Sequence, residues 1–155
     1  MYKVLFLCTG NTCRSSMAEG IFKSLLNKEG MEDRVSISSA GTAVNMSLPA
    51  SDNAISALKD LKLDLSNHRS RLITMEILDE VDLVLTMTEA HKNHVLRLMP
   101  EAKEKVFTLI EYATDGKKGD IADPYCMDLK TYRNCRDEIG KYLEMVLEKI
   151  KKLKA

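Results

Sequence analysis

The chain has 155 residues, 45% of them apolar and 30% charged, which suits one globular domain with a real hydrophobic core. Lys plus Arg and Asp plus Glu both number 23, a zero formal net charge that argues against a generic nucleic-acid or anionic-membrane binder. No apolar stretch approaches the roughly 20 residues of a membrane span, and the opening MYKVLFLC is too short for a signal peptide, so a cytoplasmic protein is expected.

In chain order, KVLFLC (3–8) reads as a buried strand. Met17, Ile21 and Leu25 then recur at helical spacing, and Ser16-Met17-Ala18-Glu19 has the form of a capping box. VSISSAG (35–41) alternates and breaks at Gly41, as a second strand would. Ile55, Leu58 and Leu61 mark a helix after Pro49. VDLVLTMT (81–88) reads as a third strand, EAHKNHVLRLM (89–99) as a helix and KVFTL (105–109) as a fourth strand. The stretch 113–128, with Gly116, Gly119 and Pro124, is the longest expected loop. Ile139, Leu143, Val146, Ile150 and Leu153 give a long amphipathic C-terminal helix, whose closing KIKKLKA is expected as a solvated, frayed end. This alternation predicts a single α/β domain over 1–155, with a parallel sheet flanked by helices on both faces. In such sheets ligands bind at the carboxyl ends of strands, where Cys8 lies.

The segment CTGNTCRS (8–15) joins the first strand to the first helix. A loop there can aim several backbone N–H groups at one point and, with the helix dipole, form an anion site. Gly10 offers backbone angles that other residues avoid, and Arg14 supplies a permanently charged planar fork for phosphate oxygens. Cys8 would lie at the floor, its thiol pKa lowered by the helix N-terminus and the guanidinium. A thiolate facing phosphorus needs no separate base. Its leaving group needs an acid, and Asp123 in IADPYC is the best candidate; alone it reads as a turn residue, beside the cysteine loop as a catalyst.

The motifs CTGNTCRSSMAEG and DPY, with SSAGT and DLVLTMT between them, resemble the low-molecular-weight protein tyrosine phosphatases over nearly the whole chain. The resemblance implies a four-stranded parallel sheet, no metal and no organic cofactor. It makes Cys8 the nucleophile, Arg14 the phosphate clamp and Asp123 the acid that later activates water. The phosphate loop would comprise Thr9, Gly10, Asn11, Thr12, Cys13, Arg14 and Ser15. Asn11 would shape that loop, Ser15 would hydrogen-bond the nucleophile, and Ser39 and His68 would support the network; from spacing alone His68 reads as a surface loop residue. Thr12 departs from the aliphatic residue usual in the tyrosine-specific branch and resembles a bacterial branch that hydrolyses phosphoarginine. A phosphotyrosine slot favours flat apolar walls, whereas a phosphoguanidinium is polar, with donors that need acceptors. Directly after Asp123-Pro124 the one aromatic is Tyr125, followed by Cys126, and AVNMSLPAS (43–51) contains none. Phosphoarginine is therefore the favoured substrate side chain, with phosphotyrosine the alternative. The family also suggests Cys13 as a redox partner protecting Cys8.

Cys126 and Cys135 read as core or partly exposed thiols, and with no Cys-x-x-Cys pair no zinc site is expected. An arsenate reductase needs two further relay cysteines, and a binding module or redox sensor would not need Asp123. His91 and His94, lacking a third ligand, read as a solvated helix face, and the nine methionines as core filler. The expected partners are phosphorylated proteins, without nucleic acid or membrane, and a monomer is the default state.

Overall fold

The computed structural model describes residues 1–153. Four strands, β1 (Tyr2–Cys8), β2 (Val35–Gly41), β3 (Leu83–Thr86) and β4 (Val106–Thr108), pair in parallel in the order β2-β1-β3-β4. Six helices connect and cover them: α1 (Arg14–Lys28), α2 (Asp52–Lys59), α3 (Met75–Glu80), α4 (Glu89–Leu98), α5 (Leu109–Ala113) and α6 (Leu129–Leu153). A 3₁₀ turn over Pro100–Lys105 leads into β4.

The apolar continuity of β1 has a simple cause: it is an inner strand buried on both faces. Its alternate side chains serve two cores. Val4, Phe6 and Cys8 pack with α1, α2, α5 and α6 on one face; Leu5 and Leu7 pack with Leu78, Val95 and Ala102 on the other. From β1 the chain passes to β2 on one side; β3 and β4 lie on the other, so strand order reverses between β1 and β3. The crevice outside their carboxyl ends is where such sheets bind ligands.

Helix entry separates α1 from its neighbours. Ser51, Thr74, Thr88 and Thr108 cap α2, α3, α4 and α5 by accepting a backbone N–H. At α1 the capping position is Cys13, whose side chain makes no such bond, and no acidic residue lies in the first turn. The expected capping box is therefore not formed. Ser16 lies inside the helix and donates to the Cys13 carbonyl at 2.9 Å, while Glu19 turns toward Ser39. The N–H groups that a cap would occupy are left facing the loop that follows β1.

Other expectations shift in detail. Helix α6 starts well before Ile139, with Tyr132 and Cys135 extending its buried stripe. Its end is not simply solvated: Lys149 donates to the Tyr112 carbonyl at 2.7 Å and Ile150 is fully buried, whereas Leu153 is exposed. Lys154 and Ala155 lie outside the described residues. Leu61 falls beyond α2 and is exposed. Met17, Met31, Met87 and Met99 fill the core as expected, but Met46, Met75 and Met127 are exposed, so core filling describes only part of the set. No helix is long and apolar enough to cross a membrane among the described residues.

Candidate active site

Cys8 ends β1, and seven residues later Ser15 stands in the first turn of α1 with its Oγ 2.9 Å from the Cys8 Sγ. The direction of that bond follows from Asn11. The backbone N–H of Arg71 donates to Asn11 Oδ1 at 3.1 Å, which fixes the amide with its nitrogen toward the serines. Asn11 Nδ2 donates to Ser15 Oγ at 2.8 Å and to Ser39 Oγ at 2.9 Å. With that lone pair occupied, the Ser15 proton is available to the sulfur. Ser39 Oγ in turn donates a hydrogen bond to Glu19 Oε1 at 2.5 Å, and His68 Nε2 pairs with the Asn11 carbonyl oxygen at 2.6 Å. Asn11 is 0% exposed and every polar group of its side chain is used.

The loop takes its left-handed turn at Asn11, with φ of 58°, and not at Gly10, which has no positive φ. Asparagine tolerates this region where most residues do not. The glycine the loop requires is Gly41, at the end of β2. A Cβ there would strike the Thr9 carbonyl oxygen and lie 2.7 Å from Val44 Cγ2 and 3.1 Å from the Asn11 nitrogen. Close approach lets Thr42 and Ala43 N–H bond the Cys8 and Thr9 carbonyls at 2.9 and 3.0 Å.

Arg14 is 4% exposed. Its NH1 donates to the Ile121 carbonyl at 2.9 Å and its NH2 lies 3.4 Å from Asp123 Oδ2. Its Nε is buried with no hydrogen-bond partner, an orphaned charged donor in the wall of the cavity. Asp123 is 48% exposed at its side chain, and its other oxygen accepts the Tyr125 N–H at 3.1 Å. The loop carrying Asp123 is itself held: Ile121 N–H donates to the Met87 carbonyl and Asp120 Oδ1 accepts the Glu89 N–H, both at 2.9 Å.

These groups line one cavity of about 480 Å³, shared by Cys8, Gly10, Thr12, Arg14, Asp123 and Tyr125 with the apolar Val44, Met46 and Leu48. Asn11 and Ser15 act from behind it, as do Ser39 and His68. Tyr125 is exposed at the mouth, and Thr12 presents its hydroxyl 3.7 Å from the Cys13 Sγ. Cys13 is buried, its sulfur 3.2 Å from Tyr132 Oη and 3.4 Å from Ser51 Oγ. All four cysteines are free, Cys126 exposed and Cys135 buried.

Two expectations need correction. Burial pushes the Cys8 thiol above its ordinary pKa; the Ser15 hydroxyl, the backbone N–H groups of Ser15 and Asn11 and the Arg14 guanidinium pull the other way without reversing it. A lowered pKa was expected because the sequence shows the cation but not the depth of the sulfur. His91 is not on a solvated face: it is 6% exposed, with Nε2 2.8 Å from Thr9 Oγ1 and Nδ1 3.0 Å from Thr88 Oγ1. Burial first, and the Arg14 charge second, lower its pKa to about 4. One sequence signal was available: Thr88 three residues before His91 is a helix cap, which turns His91 inward with the first turn.

A buried sulfur at a strand end, an uncapped helix N-terminus, a buried arginine and an exposed aspartate across one cavity define a site for an oxyanion and a nucleophilic thiol. The model of the family described as low molecular weight phosphotyrosine protein phosphatase matches residues 3–155. The chain belongs to this family, whose members are phosphatases working through a cysteine. It is 40% identical over 149 residues to a protein-arginine-phosphatase of Bacillus subtilis, covering 96% of this chain and 97% of that one. It is 33% identical over 141 residues to arsenate reductase 1 of Staphylococcus haemolyticus, covering 91% of each. Among solved structures it resembles YwlE arginine phosphatase, a mutant with a phosphorylated active-site serine, at a TM-score of 0.92 and 37% identity over 97% of this chain and 96% of that one.

Proposed function

We propose that this chain is a protein phosphatase that prefers phosphoarginine, with Cys8 as nucleophile, Arg14 as clamp and Asp123 as acid. The observation that carries the reading is that Cys8, whose sulfur meets the Ser15 hydroxyl at 2.9 Å, lines the same cavity as Arg14 and Asp123. On substrate binding the Cys8 thiol gives its proton to a dianionic phosphoryl oxygen; the thiolate, met by the Ser15 hydroxyl, attacks phosphorus and the bond to the leaving nitrogen or oxygen breaks. Asp123 gives that atom a proton. Asp123, now a carboxylate, then takes a proton from water, the hydroxide oxygen bonds to phosphorus, and phosphate departs as the thiolate is restored. The cradle N–H groups and the free Arg14 Nε suit the charge on the transferring phosphoryl oxygens.

Two features support phosphoarginine. Thr12 and Asp123 offer oxygens to guanidinium N–H groups, and relatives covering nearly the full chain carry that activity in their names. The apolar rim of Val44, Met46, Leu48 and Tyr125 favours the second reading, phosphotyrosine, by the same chemistry. Arsenate reduction fits less well: burial pushes the thiol of Cys135 up to about 12, which makes it a poor relay nucleophile, and Cys126 is the one other thiol outside the phosphate loop. The reading includes one domain over 1–155 acting as a cytoplasmic monomer without a cofactor. It also includes Cys13 as the thiol that closes a disulfide on an oxidised Cys8. The test is kcat/KM on matched phosphoarginine and phosphotyrosine peptides, in the wild type and in Thr12→Ile. The wild type is expected to favour phosphoarginine and the variant to move toward phosphotyrosine; an unchanged ratio would remove Thr12 from specificity.

A further inference from the structure

His91 takes no part in the chemistry just described, yet it is buried against the phosphate loop. Its ring bridges two hydroxyls, Thr88 Oγ1 at Nδ1 and Thr9 Oγ1 at Nε2, at 3.0 and 2.8 Å. The polarity of the bridge can be worked out. Thr88 Oγ1 already accepts the His91 backbone N–H at 3.2 Å, as the cap of α4. Its own proton then needs an acceptor, and among the described residues His91 Nδ1 is the one within reach. A neutral ring that accepts at Nδ1 carries its proton on Nε2 and donates it to Thr9 Oγ1. The reverse tautomer would strand the half-buried Thr88 proton. The chosen one leaves free only the Thr9 proton, on an exposed residue lining the cavity.

From this geometry we propose that His91 is a positioning residue that makes Thr9 a fixed hydrogen-bond donor in the cavity wall, directed at an oxygen of the bound substrate. The inference rests on the phosphatase reading of the same cavity. His91 is held neutral by its burial, with Arg14 opposing a charge on it; Asp120 and Asp123 act in the other direction, and His94 on its own helix adds to the opposition. The first turn of α4 also receives Asp120, three residues before Asp123. One helix end therefore fixes both the first residue after the nucleophile and the approach of the acid loop.

The acceptor oxygen can belong to the phosphoryl group or to a main-chain carbonyl of the substrate peptide, and two probes separate these. Thr9→Val removes the hydroxyl at constant shape. Roughly tenfold weaker inhibition by orthovanadate is expected if the partner is a phosphoryl oxygen, the worth of one hydrogen bond to a charged group. A similar loss in kcat/KM on a phosphopeptide, absent with p-nitrophenyl phosphate, is expected if it is a carbonyl. Thr9→Ser should lose less than Thr9→Val. His91→Leu should reproduce the Thr9→Val loss without adding to it in the double variant, while His91→Gln, whose amide can donate to Thr9, should recover part of it. Imidazole ¹⁵N shifts of the wild-type protein should show Nε2 protonated and Nδ1 bare. A ring protonated at Nδ1, or Thr9→Val matching the wild type with both probes, would overturn the proposal. Absence of hydrolysis of both p-nitrophenyl phosphate and the phosphopeptide by the wild type would instead overturn the phosphatase reading, whatever Thr9 does.

Discussion

Replacing Asn11 by alanine tests the most heavily connected residue of the site. Its side chain donates to Ser15 and Ser39 and accepts from the Arg71 N–H, and it sits at φ 58° with no exposure. Three hydrogen bonds at about 1 kcal/mol each, with their partners left buried, give about 3 kcal/mol. The left-handed backbone adds about 1 kcal/mol for a residue with a Cβ that lacks the asparagine's local bonding. The sum, about 4 kcal/mol, is a large share of a typical domain stability and corresponds to a fall in Tm of roughly 8–16 °C at this chain length. Asn11→Gly separates the terms: it loses the bonds but not the backbone fit, and should be about 1 kcal/mol more stable than the alanine variant. Both release the Ser15 hydroxyl from its orientation toward Cys8, so turnover of p-nitrophenyl phosphate should fall roughly 10- to 100-fold at a temperature where the variants remain folded. Urea denaturation followed by circular dichroism measures the first effect and steady-state kinetics the second. An alanine variant within 1 kcal/mol of the wild type, or more stable than the glycine variant, would refute this reasoning.

Gly41→Ala should cost about 2–3 kcal/mol, because the added methyl meets the Thr9 backbone rather than a flexible side chain, and it should weaken orthovanadate binding by deforming the cradle. Thermal melts with and without vanadate check it; a variant with wild-type Tm and affinity would mean the loop is not seated on β2. Alkaline stability follows from Cys135, whose thiol burial raises from 9.0 to about 12. A raised folded-state pKa gives stability that is complete below about pH 9 and is lost as pH climbs toward 12. The decline in Tm over that window should be shallower in Cys135→Ala than in the wild type; equal slopes would show that Cys135 ionises freely in the folded chain.

Much of this site was legible because its chemistry is local. Cys8, Arg14 and Ser15 lie within one strand-loop-helix segment, and the alternation of buried strands with helical stripes sets the sheet that places Asp123 opposite them. What the sequence hid depends on depth and on distant contacts. Nothing local in CTGNTCRS shows that Asn11 rather than Gly10 takes the positive φ, because that choice is fixed by Arg71, Ser39 and His68 from two other segments. Ser16 and Glu19 have the spacing of a cap, but the chain enters α1 three residues earlier and spends Glu19 on Ser39. Helices α3 and α5, absent from the expected elements, are too short to show a period, and only the structure reveals Thr74 and Thr108 as their caps. The Cys8 pKa reverses its expected direction because sulfur burial, which no motif records, outweighs the neighbouring cation.

The central claim is a phosphoryl group carried on the Cys8 sulfur. An Asp123→Ala variant, slowed in releasing it, can be mixed with p-nitrophenyl phosphate, acid-quenched, digested and mapped by mass spectrometry. The account predicts a phosphoryl adduct on the Cys8 sulfur, identified as phosphocysteine rather than phosphoserine by the fragment masses of the peptide containing Cys8. Nitrophenol release with no adduct on that peptide, or an adduct on another residue, would contradict it.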